Sequence, residues 1–376
     1  MKATPALSRR RLLALGAGLA TVGTVGGFGK AVAGPDLGQI PRPTAGGSQL
    51  IATMGIVADP WQAKVRAAGY VTRSARINQV DFSYVEGPDN GPPLVLLHAQ
   101  QLDWFGYSRV LPELSKKFHV FDIDYPGHGN TITPAGYPMT ANRIGADLAA
   151  FMQARIGQPA FVTGNSSGGL LTAWLAANQP QQVISVLLED PPLFASEYPR
   201  IKKTIAYRDF ASCATAVDGN VRDFLLFWIQ DNKAFFDENV GPGVAALLAQ
   251  AVIAYRLLHP GQPIDLGLIT DDTVRLFLRG LNESDPRFGK AFYDGTWNAG
   301  FDHATALRKI TCPALLLQAN YSWVDGDILN GAMSEEDADT AMSLLADGTY
   351  QKVDATHVIN LDEPQQFVTA LEGFFR

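Results

Sequence analysis

The chain has 376 residues, 47% apolar and 18% charged, with 36 Gly, 23 Pro and two Cys. This is the composition of a globular protein and excludes collagen-like, disordered and coiled-coil architectures. Thirty basic against 37 acidic residues leave a net charge of −7 with no long Lys/Arg run, which speaks against nucleic-acid binding, and two cysteines cannot frame a disulfide scaffold.

Residues 1–33 read as a secretory signal peptide. Arg9, Arg10 and Arg11 precede an uncharged stretch from Leu12 to Gly29, and Ala31-Val32-Ala33 supplies a small-x-small cleavage pattern. The arginines after Ser8 resemble a twin-arginine export signal. The alternative, an uncleaved membrane anchor, is disfavoured by the glycines at 16, 18, 23, 26, 27 and 29. No Cys stands at the cleavage point, which argues against a lipoprotein. Cleavage after Ala33 removes five basic residues and no acidic one, taking the net charge to −12. The expectation is an exported protein, periplasmic or secreted, with no stable membrane insertion once cleaved.

Residues 34–72, rich in Pro, Gly and small side chains at first, read as an N-terminal arm ending in a short helix around Trp61 to Ala68. Arg76 to Val85 alternates apolar and polar residues as a strand does and runs into the turn cluster Gly87–Pro93. Leu94–Leu97, Phe118–Ile123, Ala160–Thr163 and Val183–Leu188 are short continuous apolar runs, as expected of strands buried on both faces. Helical spacing fills the intervals at Thr140–Ile156 and Ser167–Asn178. The pattern predicts an α/β fold with a mostly parallel, doubly wound sheet.

Residues 194–302 break this rhythm with helical pattern and many aromatics, among them Phe224, Phe227, Trp228, Phe235, Phe236, Tyr255, Phe288, Phe292, Tyr293 and Trp297. They are expected to form a helical lid. Alternation resumes with the strand Ala314–Leu317, a helix near Glu335–Leu345, the strand Tyr350–Val353 and a helix from Pro364. The sheet domain is thus expected over 73–193 and 303–376. Some lid aromatics would serve a hydrophobic substrate and at least half the lid's own core.

Gly164-Asn165-Ser166-Ser167-Gly168 follows a buried strand and opens a helix, the strand-turn-helix setting that makes G-x-S-x-G a nucleophile elbow. The plainer reading is a Gly/Ser-rich turn whose Ser caps a helix. Three further segments bear on the choice: Leu97-His98-Ala99-Gln100 after one strand, Asp124-Tyr125-Pro126-Gly127-His128-Gly129 after the next, and Asp354-Ala355-Thr356-His357 after the last. With these the chain resembles the α/β-hydrolase superfamily, in its lidded branch of esterases, C–C hydrolases and epoxide or haloalkane hydrolases, over residues 75–376 apart from the lid.

The resemblance implies that Ser166 is the nucleophile, His357 its base, and the backbone N–H groups of Gln100 and Ser167 the oxyanion hole. His98, His128 and His303 compete for the base role, but only His357 follows the last strand. The acid is open. Family members place it after the strand ending near Leu317 or after that ending near Leu188. The first position falls on Ser322, which cannot hold an imidazolium as a carboxylate does, and Asp325 or Asp327 would serve only on a longer loop. The second offers Glu189 and Asp190. Asp190 leads by its spacing from Ser166, with Glu189 and Asp325 as alternatives; equally, Asp190 could simply end a strand ahead of Pro191-Pro192.

Ala99 and Asn130 depart from the family pattern, where Gly and Ser are usual, and Ala99 could narrow the freedom of the oxyanion loop. Ser at the elbow argues against epoxide-hydrolase and dehalogenase chemistry. No zinc-spaced Cys/His cluster or P-loop is present, so neither metal nor cofactor is expected. Cys312 precedes its strand and Cys213 sits in the lid, levels separated by roughly 17–20 Å of strand, beyond the about 7 Å a disulfide spans; both are expected as free thiols. The function expected is hydrolysis of a carboxylic ester or lactone of a hydrophobic molecule. C–C hydrolysis of a diketone and non-catalytic ligand binding are the alternatives.

Overall fold

A computed structural model describes residues 59–376 except 268 and 270. The expected signal peptide and residues 34–58 of the arm lie outside the described residues. Helix α1 (Pro60–Ala67) opens with Pro60 in the first turn and Asp59 as cap, its carboxylate accepting from the Trp61 N–H at 2.8 Å.

The run expected as one strand at Arg76–Val85 is a hairpin instead. β1 (Val71–Ile77) and β2 (Val80–Glu86) pair antiparallel, with Ile77 opposite Val80. Asn78, at φ 54°, makes the reversal; the left-handed region is one that Asn tolerates. Alternation continues through both arms, so the sequence pattern alone does not reveal the turn.

The remaining sheet strands are β3 (Pro93–Leu97), β4 (His119–Asp124), β5 (Ala160–Asn165), β6 (Val183–Glu189), β7 (Ala314–Gln318) and β10 (Gly348–Lys352). The eight-stranded order is β1-β2-β4-β3-β5-β6-β7-β10, parallel from β4 onward. Alternate strand residues feed two cores. Val95, Leu97, Val162, Val186, Leu188 and Leu316 face one, with α3 (Ala141–Phe151), α4 (Ser167–Asn178), α11 (His303–Lys309) and α12 (Glu335–Leu344). Leu94, Leu96, Phe161, Leu187, Leu315 and Leu317 face the other, with α1, α2 (Leu111–Leu114), α13 (Ile359–Asp362) and α14 (Pro364–Phe374). Burial on both faces is why these strands read as unbroken apolar runs. α4 is buried from Ser167 to Ala177, as a helix apolar on every side must be. α3 ends in a π turn at Met152–Ile156, stopped by Gly157 at φ 70°.

Residues 194–302 carry α5 (Ala206–Asp218), α6 (Phe224–Asp231), α7 (Lys233–Asn239), α8 (Val244–Leu258), α9 (Asp272–Asn282) and α10 (Pro286–Tyr293). Phe224, Trp228 and Phe236 lie in a core internal to this insert, with Phe227, Phe235 and Tyr255 packed against it. Phe288, Phe292 and Trp297 belong instead to the sheet's own core. The insert's ends are tied together: the Phe194 N–H donates to His303 Nδ1 at 2.9 Å, and the His303 N–H donates to Glu197 Oε1 at 2.9 Å. Beyond β7 a short hairpin, β8 (Ser322–Val324) and β9 (Ile328–Asn330), forms a second sheet not expected from sequence. Both cysteines are free thiols, Cys213 buried in α5 and Cys312 ahead of β7. No helix among the described residues is long and apolar enough to cross a membrane.

Candidate active site

Ser166 sits between the end of β5 and the start of α4 at φ 57°, ψ −120°, a conformation a non-glycine residue adopts only where its surroundings hold it. The surroundings are tight. A Cβ on Gly168 would run into the carbonyl oxygens of Leu97 and His98, and one on Gly164 into the backbone of Gly168. The two glycines of the pentapeptide therefore let β5, α4 and the end of β3 close on the turn. Ser166 is not a side-chain cap of α4, so the plainer reading of this serine does not describe its position. Its N–H donates to the Glu189 carbonyl at 3.0 Å.

β5 and β6 run in parallel register with Asn165 opposite Glu189, so the residues just past both ends, Ser166 and Asp190, emerge side by side above the sheet. Asp190 is buried, turns at φ 41°, and sends its N–H to the Leu317 carbonyl at 2.8 Å. Its Oδ1 accepts from the Ala319 N–H at 3.1 Å and its Oδ2 lies 2.7 Å from His357 Nδ1. A carboxylate only accepts, so Nδ1 carries the proton and Nε2 is left free as a base. The His357 carbonyl is held by Asn165, whose amide donates to it at 2.9 Å.

Ser166 and His357 line one cavity of about 140 Å³, together with Gln100, Phe210, Phe277 and Phe292. Among the described residues no hydrogen bond joins Ser166 to His357; such contacts commonly tighten only when substrate is bound. Ser167, the first residue of α4, has no intrahelical acceptor for its N–H. Of the ten insert aromatics singled out by sequence only Phe292 reaches this cavity, whereas Phe210 and Phe277 had no signal distinguishing them.

Neither alternative acid approaches His357. Glu189 points to the opposite side of β6, where Oε1 accepts from the Asn360 N–H at 2.8 Å and Oε2 from the Tyr107 hydroxyl at 3.3 Å. Burial pushes its carboxyl up to about 8. Asp325 is at the tip of the β8–β9 hairpin, exposed and 3.5 Å from Arg208. The position of Ser322 is taken up by β8 itself.

The three histidines that compete with His357 for the base role are walled in. Burial lowers His98 to about 4; its Nδ1 donates to the Ala99 carbonyl at 2.7 Å and its ring stacks on Tyr125. Burial lowers His303 to about 3 and His128 well below its usual range. All three are neutral at physiological pH. The positive φ in the loop that Ala99 was expected to narrow is at Gln101, φ 58°. Asn130 donates its N–H to Asp124 at 3.2 Å. Among the described residues no three His, Cys, Asp or Glu side chains are grouped to hold a metal ion.

A model of the Alpha/beta hydrolase family matches residues 94–370. A pimeloyl-(acyl-carrier protein) methyl ester esterase of Chromobacterium violaceum is 38% identical over 105 residues, 28% of this chain and 39% of that protein. The magnesium-chelatase 30 kDa subunit of Rhodobacter capsulatus is 31% identical over 106 residues, 28% of this chain and 37% of that protein. The matches thus span well under half of these relatives' length. Among solved structures, a carboxylesterase from Bacillus subtilis superposes with TM-score 0.57 at 15% identity, covering 88% of this chain and 98% of that one. The enol-lactonase from Burkholderia xenovorans gives 0.53 at 18% identity, covering 80% and 99%. Likeness at such identity establishes the fold.

Proposed function

The chain belongs to the alpha/beta hydrolase family, and from that membership we propose that it is an exported serine hydrolase cleaving a carboxylic ester or lactone of a hydrophobic small molecule. One observation carries the reading: His357, bonded through Nδ1 to buried Asp190 at 2.7 Å, opens onto the same cavity as Ser166 on its strained turn. Ser166 Oγ attacks the acyl carbon while His357 Nε2 takes its proton, and Asp190 stabilises the imidazolium so formed. The N–H groups of Gln100 and Ser167 bind the oxyanion. His357 then protonates the leaving alkoxide, and water resolves the acyl-enzyme by the same steps. The insert, 194–302, acts as a lid that keeps bulk water from the cavity.

The cavity is about 140 Å³, near the size of an engineered ~150 Å³ void that takes up benzene. It suits a short acyl group. With p-nitrophenyl esters from acetate to octanoate, butyrate or a shorter ester should be turned over fastest, and Ser166→Ala should abolish turnover. An octanoate optimum would refute the size argument. A folded protein that turns over no ester yet labels at Ser166 with a fluorophosphonate would shift the assignment to C–C hydrolysis of a diketone, and absence of labelling to a ligand-binding role.

A further inference from the structure

The oxyanion loop makes a four-residue turn, Ala99 to Leu102, closed by the Leu102 N–H donating to the Ala99 carbonyl at 3.2 Å. Its third residue, Gln101, stands at φ 58°. Positive φ at that place is what a type II turn demands, and glycine is the residue that meets the demand without strain. A glutamine there must be held by its neighbours.

The neighbours belong to the insert rather than to the sheet. The Gln101 side chain is buried, and its Nε2 donates to Cys213 Sγ on α5 at 3.6 Å. The Asp209 carboxyl, one turn earlier on α5, is pushed up by burial to about 6, with the Trp228 and Gln101 side chains drawing it partly down. From the other side α9 closes on the turn so tightly that a Cβ on Gly280 would overlap the Gln101 carbonyl and the Leu102 Cα. Arg279 fixes the end of the turn through Nε to Asp103 Oδ2 at 2.8 Å, both side chains buried, and Leu276 packs with Ala99, Leu102 and Phe105.

Resting on the acyl-enzyme reading above, we propose that Gln101 is a positioning residue, tethered by its side chain to the insert so that the turn keeps its shape beside the Gln100 N–H, the donor to the oxyanion. Were Gln101 to relax to negative φ, the Gln100–Gln101 peptide, which carries the Gln100 carbonyl and the Gln101 N–H, would rotate by about half a turn, the difference between type II and type I, and the Gln100 N–H would be left beside a differently turned dipole. The insert is then part of the catalytic apparatus as well as a cover.

Three variants test this. Gln101→Met keeps the bulk and removes the donor, Gln101→Ala removes the tether and keeps the strain, and Gln101→Gly removes both. The tether predicts that Gln101→Met and Gln101→Ala lower kcat by about 10- to 100-fold, somewhat less than loss of a whole oxyanion donor, with KM within twofold of wild type. Binding of a boronic-acid transition-state analogue should weaken by the same factor as kcat/KM, a correlation that a merely structural role would not produce. Gln101→Gly, free of strain, should fold as well as wild type and still lose kcat. Wild-type kcat and analogue affinity in folded Gln101→Gly would overturn the proposal, whatever the other two variants do. That result leaves the serine-hydrolase reading standing as long as Ser166→Ala is inactive; a wild-type protein with no ester turnover and no labelling overturns that reading and this proposal with it.

Discussion

Glu189 and Asp190 are adjacent carboxylic acids with opposite circumstances. Asp190 is held by a backbone N–H and by His357, whereas Glu189 is sunk at the end of the central strand β6 among Tyr107 and the start of α13. Asp190→Asn should lower kcat by about 10⁴ while leaving the protein folded, since a carboxamide in that place stabilises the wrong tautomer; near-wild-type kcat would remove Asp190 from the acid role. Glu189 gives a prediction about stability. Its folded-state value, about 8, lies above its ordinary one, so the folded protein keeps a proton that the unfolded chain releases. That contribution is fully present below the ordinary glutamate range and is lost as the pH rises through about 8. Between pH 7 and pH 8.5, above the range in which the buried neutral His98, His128 and His303 act the other way, the melting temperature should therefore fall, and fall less in Glu189→Gln. Asp124, pushed up by burial to about 7, and Asp122, pushed by burial well above the usual carboxylate range, act in the same direction, so the slope should shrink without vanishing; an unchanged slope would mean that Glu189 titrates as an exposed acid. The preference for Asp190 was legible only through the family resemblance, which puts an acid at about that spacing from Ser166. What decided between the neighbours, the turn at φ 41° that aims Asp190 at His357, is not written in composition or spacing.

Among the elements, α9 is the one whose importance no sequence pattern announced. Its apolar spacing marks it as amphipathic, but Arg275 and Arg279 on a helix of an acidic protein would pass for solvated charges. Both are buried. Arg275 pairs with Asp59 at 2.6 Å and with Asp272 at 2.7 Å, while Arg109 joins the same two acids from the sheet side. Arg279 lies over the Phe105 ring as it pairs with Asp103. Removing one partner of such a buried pair strands the other, so Arg279→Ala should cost about 3–5 kcal/mol in urea unfolding. A loss under about 1 kcal/mol would show that Asp103 finds water or another donor. The β8–β9 hairpin was missed for a similar reason: its strands are three residues each, too short to carry a period. The insert aromatics were visible as a group, but their division between three environments depends on which helix meets which, a long-range matter.

At the scale of the whole molecule the sheet was largely readable, because two buried faces impose unbroken apolar runs and two-sided burial has few other sources. The exposed edges were read less well. β10, mostly solvent-facing, begins two residues earlier than its apolar content suggests, and β1 was partly assigned to the arm. The proposed export is likewise a matter of the whole chain. Expressed in a host with a twin-arginine pathway, the protein should reach the periplasm or medium with Gly34 as its first residue, and replacing Arg9 and Arg10 by Lys should retain it in the cytoplasm. N-terminal sequencing of the exported fraction reads both; an exported chain still beginning at Met1 would argue for the uncleaved anchor.

The tie between Phe194 and His303 brings the two ends of the insert to one place at the foot of the sheet's upper rim. A loop closed at its base asks little of what lies between: each doubling of its length adds only about 0.6 kcal/mol of closure entropy. The sheet, with Ser166, Asp190 and His357, is thereby insulated from changes in the tissue above it. Selection can lengthen, shorten or rewrite the excursion, and with it the choice of ligand, provided that α5 and α9 still grip the turn at Gln101 and that Phe288, Phe292 and Trp297 still fill the sheet's core. Variation is free across most of the insert and forbidden at a few points of it, so the evolvability of this scaffold is uneven by construction.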